Sequence, residues 1–448
     1  MSKRRRRRSP PRIRLLSEAE SPVRRTLLDN GLAVVLCPRP HLSQTYLAFY
    51  CGVGSRHEQP ATNGVTHVLE HMLFRGTRSY PDATVLNLAA EEFGGFLEGA
   101  TYRDHVVFAT AAHPDATGEA IEILAELVQS PRYRSMEVER AILREELLET
   151  LDSDGRMVDL DNITHRIVFG ETGLGLPIEG SLANIERFRI ADLEAHRRQF
   201  LVGSNSVLSI AGPMDVPRLS ARVRRAFGKL PAGSPPLVVV PTPPPRAPRV
   251  RYVRDAASQV DIRICFRGVQ VHDPQYPALV MLARVLADGL GSRMHAELVD
   301  RRGLAYALHA GLTTYSDCGL FDFEVSVAPD RAAEVVKAIL EFAGTASRFR
   351  FSASELQRVR RRYRYGIEFM RDSPADLASW YGRSTLFGVE QQMDMLGHRI
   401  ERLHEAEIRQ AARRVFRRQG LVMAAAGELA RGEWRRATRV VDSWRGAS

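Results

Sequence analysis

The sequence predicts an α+β fold in which one α/β sandwich unit is duplicated, giving two homologous halves. Three observations point to it. A proline-rich stretch from Ala232 to Arg249, AGSPPLVVVPTPPPRAPR, carries seven prolines and divides the chain near its middle. On either side stands strand-like text followed by a helical segment: SQTYLAFYCGVGS before a helix beginning near Asn63, and SQVDIRICFRGVQ before a helix beginning near Pro277. Each half then returns to strand-like text, FLEGATYRDHVVFATAA in the first and GLAYALHAGLTTYSDCGLFDFEVSVA in the second.

Each element has a local reason. Aromatic and β-branched runs punctuated by glycine favour strands. Seven prolines exclude a helix and favour an extended connector. The same order of elements met twice reads as duplication. The expected organisation is a basic tail at 1–20, an N-terminal half at 21–232, a linker at 233–249 and a C-terminal half at 250–448. The halves are not equivalent in chemistry. The first helix carries histidines where the second carries ALVMLARVL, so any catalysis is expected in the first half.

Composition sets the class. With 448 residues, 44% hydrophobic and 26% charged, the chain reads as an ordinary globular protein large enough for several cores. Of the net charge of +10, eight positive charges lie in Lys3, Arg4 to Arg8, Arg12 and Arg14, so the body is close to neutral. That tail reads either as a solubilising arm or as a contact for a weak anionic partner, nucleic acid or a membrane surface. No aromatic residues interleave the arginines to stack on bases. Cys37, Cys51, Cys265 and Cys318 form no C-x-x-C pair and are expected as buried free thiols. There is no apolar run long enough for a membrane span, and no apolar segment follows the basic start as in a secretory signal. A cytoplasmic location is the expectation.

The segment GVTHVLEHMLFRG carries His67, Glu70 and His71 in an H-x-x-E-H pattern. On a helix, His67 and His71 lie about 40° apart and one turn above each other, while Glu70 falls about 60° to the other side of His67. Val65, Val68, Leu69, Met72 and Leu73 form the opposite, packing face. Two imidazoles so placed can ligate one zinc ion, and the flanking carboxylate can reach a water there and exchange protons with it. The alternative is two unrelated histidines near an acid.

A catalytic zinc site needs a third protein ligand. The helix-like segment SMEVERAILREELLETLD offers Glu139 and Glu146, seven residues apart on one stripe. Val138, Ile142, Leu143, Leu147 and Leu151 read as a broad apolar face, and the stripe falls between Ile142 and Leu143. A carboxylate there is costly unless paired or bound to metal. The pattern does not choose between the two, and both also read as ordinary salt-bridged acids.

Together these residues resemble the pitrilysin family of inverted-motif zinc peptidases, whose signature is H-x-x-E-H. THVLEHMLFRGT is similar to the family's motif helix, LLDNGLAVVL to its opening strand, and VERAILREEL to its downstream helix; LADGLGSRMHAELVDRRGLAYAL resembles the glycine-rich stretch of the second half. The resemblance spans most of residues 25 to 430. It implies a pitrilysin-like fold, one Zn2+ per chain and peptide hydrolysis inside a clamshell chamber, within a homodimer or a heterodimer with a related motif-less subunit. It also implies that Glu146, 75 positions after His71, is the third ligand, with Glu139 supporting the site from behind. Glu70 is implied as the base, Tyr306 as a stabiliser of the oxyanion, and Glu98, Thr101 and Tyr306 as substrate contacts. Read without the family, Tyr306 is equally an amphipathic core tyrosine.

Two positions depart from the family. Glu98 stands where an asparagine usually contacts the substrate backbone, and Val299 where an arginine usually helps grip it. The metal set is intact, so the departures imply unusual specificity or dependence on a partner chain. Glu98 would place negative charge beside the cleft and favour basic peptides. A non-catalytic or partner-dependent subunit of a two-chain processing peptidase is the alternative reading. His105 and His113 are expected outside the ligand set. Gly289 and Gly291 lack the G-K-[ST] of a phosphate loop, and RVRRRYRYG reads as a solvated helix face.

Overall fold

The computed structural model describes residues 23–171, 173–234, 245–256, 259–389 and 393–447. The basic tail at 1–20 and the middle of the proline-rich linker lie outside the described residues.

Strands β1 (Arg24–Leu27), β2 (Ala33–Pro38), β3 (Thr45–Cys51), β4 (Leu97–Thr101), β5 (Val106–Ala112) and β6 (Ser206–Gly212) form one sheet in the order β1-β2-β6-β3-β5-β4. Strands β7 (Arg249–Arg254), β8 (Val260–Arg267), β9 (Ala305–Thr314), β10 (Gly319–Val327) and β11 (Val422–Gly427) form a second, in the order β7-β11-β8-β10-β9. Apart from the extra edge strand β1, the sheets share one topology. In each, a single parallel pair (β2 with β6, β7 with β11) continues into antiparallel neighbours. The strand-like stretches seen twice in the sequence are β3 and β8, then the hairpins β4–β5 and β9–β10, at matching places. Helices cover both sheets, and the architecture is the pitrilysin-like α+β fold.

The two halves exchange helices. Helix Leu160–Phe169, which precedes the linker, lays Ile163, Val168 and Phe169 onto Ala424, Cys265 and Val422 of the second sheet. Helix Pro374–Leu386, from the second half, buries Leu377, Ala378 and Tyr381 in a core that takes in Val35, Ala48, Tyr50 and Val207 of the first sheet. The helical period marks which faces are buried and not which sheet buries them, so this exchange was not legible.

Ionic groups pin the exchanged helix. Arg103 pairs with Asp161 at 2.7 Å, and Arg263 of β8 also pairs with Asp161. Nearby, Arg56 pairs with Asp317 at 2.7 Å. His165 is buried in the same seam, its Nδ1 2.9 Å from the Asp161 carbonyl and its Nε2 2.9 Å from the Tyr315 hydroxyl. The four cysteines are buried and free, as expected.

Burial, reinforced by the charge of Arg103, lowers the His165 pKa to about 4 against the pull of Asp161. An unfolded histidine takes a proton near pH 6.5, which the folded one refuses until about pH 4. This group therefore costs nothing above pH 6.5 and destabilises the fold as pH falls through that window, by about 1.4 kcal/mol per pH unit at most. His165→Gln is expected to flatten the decline of unfolding free energy between pH 6.5 and 4, measured by chemical denaturation. An unchanged slope would refute the assignment.

Candidate metal centre

The motif helix spans Val65–Leu73 and packs Val65, Val68, Leu69, Met72 and Leu73 into the first core. Its start is held tightly. The buried Glu58 carboxylate accepts from the backbone N–H of Gly64 (2.7 Å) and of Thr66 (2.9 Å) and from the Asn63 side chain (2.9 Å). An anion at a helix N-terminus satisfies free donors and complements the dipole. Gly64 has φ +95°, and a Cβ there would press on the backbone of Glu179 and Gly180. Glu58, Asn63 and Gly64 escaped the sequence reading, because capping across a loop leaves no periodic signal.

Helix Met136–Leu148 crosses the motif helix and completes the cluster. His67 Nε2 and His71 Nε2 lie 3.2 Å apart. Glu146 places one carboxylate oxygen 3.5 Å from His67 Nε2 and the other 3.4 Å from His71 Nε2. Among the described residues, this is the one group of three such side chains converging in this way. Ligand atoms each about 2.0–2.2 Å from a common tetrahedral ion would be spaced by about 3.3–3.6 Å. The two imidazole nitrogens come close to that spacing and Glu146 brings one oxygen near each, so the three side chains can close on a single divalent ion. Imidazole lone pairs and a carboxylate directed at one point repel one another unless a cation or a proton lies between them.

The surroundings fix how the donors are presented. His71 Nδ1 lies 2.8 Å from Glu139 Oε1, so its N–H donates there and Nε2 keeps its lone pair for the cluster. Glu139 is buried and also pairs with Arg75, one turn beyond His71. Burial opposes ionisation of Glu139, but the bonds to His71 and Arg75 outweigh it and hold its pKa below the usual range. For His71, burial pulls the pKa down, but the Glu139 hydrogen bond and surrounding carboxylates leave it raised. Glu146 is held low, chiefly by His67.

The helix carrying the glutamates is rotated from its expected setting. Leu143 and Leu147 are buried, but Val138 and Ile142 are 54% and 45% exposed. Arg140 bonds the carbonyls of Ile185 and Phe188, and Glu139 turns inward to His71 and Arg75. These polar contacts orient the helix, and the outer apolar residues face solvent.

Glu70 is buried beside β4. Burial raises its pKa, partly offset by the nearby imidazoles. Thr101 Oγ1 lies 3.4 Å from Glu70 Oε2. A Cβ on Gly99 would run into Glu70 Oε1 and the Phe74 ring, so a larger residue there would push the Glu70 carboxylate aside. A cavity of about 610 Å³ opens here, lined by the two histidines, Glu70, Glu139, Glu146 and Thr101 among others.

Other expected residues stand apart. Glu98 and Ala100 pair with Ala109 and Val107 and occupy the face of β4 opposite Gly99 and Thr101. Glu98 is exposed, with the Tyr46 hydroxyl donating to its Oε2 at 2.9 Å. Tyr306, on the edge strand β9, is 82% exposed and is not among the residues lining this cavity. Val299 packs against the second core. His105 is buried against Asp104, and His113 closes a turn onto Asp115. No helix among the described residues is long and apolar enough to cross a membrane.

Comparisons with known proteins identify the family. Residues 33–181 match the family model described as insulinase (peptidase family M16), and residues 187–363 match the peptidase M16 inactive domain. The chain is 27% identical over 411 residues to a Streptomyces coelicolor protein named as an uncharacterized zinc protease, covering 89% of this chain and 88% of that one. It is 25% identical to a probable mitochondrial-processing peptidase subunit beta of Arabidopsis thaliana, covering 93% of this chain and 80% of that one. Among solved structures, a protease from Helicobacter pylori superposes with a TM-score of 0.83 at 18% identity, covering 91% of this chain and 99% of that one. The chain belongs to peptidase family M16.

Proposed function

We propose that the chain is a zinc-dependent endopeptidase in which His67, His71 and Glu146 hold one zinc ion and Glu70 is the general base. The observation that carries this reading is the convergence of three donor atoms from two helices beside a buried carboxylate. When bound, zinc supplies Lewis-acid polarisation and makes a water acidic enough to ionise near neutrality. Glu70 accepts that proton and later delivers it to the leaving amine. Thr101 steadies Glu70, and Glu139 fixes the tautomer of His71.

The substrate is a peptide in extended form. Among the described strands β4 pairs with β5 alone, and its outer edge lies beside the cleft. A chain adding to that edge would bring a peptide bond level with Gly99, next to Glu70. The catalytic half is proposed as residues 21–232, with 250–448 as the homologous second half. A second reading keeps the same chemistry but requires another chain. Its support is Tyr306, exposed and outside the cavity, together with Val299 at the position where the family's arginine is expected.

Removing metal tests the proposal. Chelation is expected to abolish cleavage of a quenched fluorogenic peptide, and one equivalent of zinc per chain to restore it. Cleavage that survives chelation would refute the proposal. Glu139→Ala frees His71 to rotate and is expected to weaken zinc binding about 10- to 100-fold, read by competition with a fluorescent chelator.

A further inference from the structure

We propose that Glu98, oriented by Tyr46, forms a subsite for a lysine or arginine side chain of the substrate, within one residue of the bond cleaved. This deepens the proposed peptidase reading and rests on it.

The pleat of β4 sets the geometry. Gly99 faces Glu70, so the substrate residue lying opposite Gly99 is the one level with the catalytic carboxylate. Its neighbour on an added strand lies opposite Glu98, with its side chain on the Glu98 face. That face offers one carboxylate with a free oxygen. Glu98 Oε2 accepts from the Tyr46 hydroxyl at 2.9 Å, and no cation among the described residues pairs with the group. A carboxylate held by the Tyr46 hydroxyl suits a long cationic side chain, which pairs at its tip and can lay its stem along the Tyr46 ring. An acidic substrate residue at the same place would meet repulsion.

The test uses the full-length zinc-loaded chain and a peptide series carrying lysine, norleucine or glutamate, moved one position at a time across the scissile bond. Wild type is expected to favour lysine over glutamate at one position adjoining that bond. Glu98→Gln keeps the shape and the Tyr46 bond but removes the charge. It is expected to lower the lysine-to-glutamate ratio of kcat/KM about 5- to 10-fold, mostly through KM. Glu98→Lys should invert the preference. Tyr46→Phe should reduce it in the same direction by less, as befits a positioning residue. Zinc content and melting temperature report whether each variant has folded.

A second readout is independent of turnover. Fluorescence anisotropy of the same peptides on Glu70→Gln, with and without Glu98→Gln, should show the same loss of lysine preference and a weaker salt dependence. If wild type and Glu98→Gln give equal ratios in both assays, the subsite is overturned while the peptidase reading stands. If no peptide is cleaved by wild type but the lysine preference in binding depends on Glu98, the peptidase reading fails and Glu98 is left as a contact for a bound cationic peptide, not a subsite beside a cleaved bond.

Discussion

Glu70→Gln is expected to retain one zinc per chain and to lower kcat by about 10²- to 10⁴-fold, with KM little changed. The amide is nearly isosteric, so it fills the same buried space against Gly99 and can still accept from Thr101. It cannot accept a proton from water at neutral pH. Zinc stays because Glu70 is outside the converging donor set formed by His67, His71 and Glu146. Metal analysis and steady-state kinetics on one preparation decide the matter. Full activity would remove Glu70 from the mechanism, and loss of zinc together with activity would make it a ligand.

His67→Ala is expected to abolish both zinc binding and hydrolysis. The substitution leaves one imidazole and one carboxylate, fewer than the three protein ligands of a catalytic zinc site. Glu146→Ala is expected to act in the same direction. His67 stands on a helix whose opposite face is packed and whose start is capped by Glu58, so the fold should survive the loss. Equilibrium dialysis against zinc, with a melting curve to verify folding, separates these cases. Stoichiometric zinc in His67→Ala would place the ion elsewhere.

The candidate site was legible where its geometry is local. His67 and His71 share a helix face because four residues make about one turn, and Glu70 flanks them for the same reason. Glu139 and Glu146 share a stripe because seven residues make about two turns. Which stripe meets the histidines is a matter of packing, and there the reading of the second helix was incomplete. Val138 and Ile142 looked like core but are exposed, because Arg140, Arg75 and His71 hold the acidic side inward. Glu98 was read as flanking the cleft; the strand does flank it, but the pleat turns Glu98 to the other face.

By itself the sequence determined the strand–helix–strand order met twice, the absence of the histidine motif from the second half and the local pairing of two imidazoles with an acid. These follow from helical and strand periods and from residue chemistry, which act over a few positions. Tertiary structure alone decided that residues 67, 71 and 146 meet within 4.8 Å, that Glu58 caps the motif helix and that each half lends a helix to the other's sheet. It also decided that Tyr306 faces solvent. The physical reason is that burial is non-directional: an apolar face must leave water, but any complementary face can receive it. The choice among partners is made by shape and by polar groups brought together only when the chain has folded.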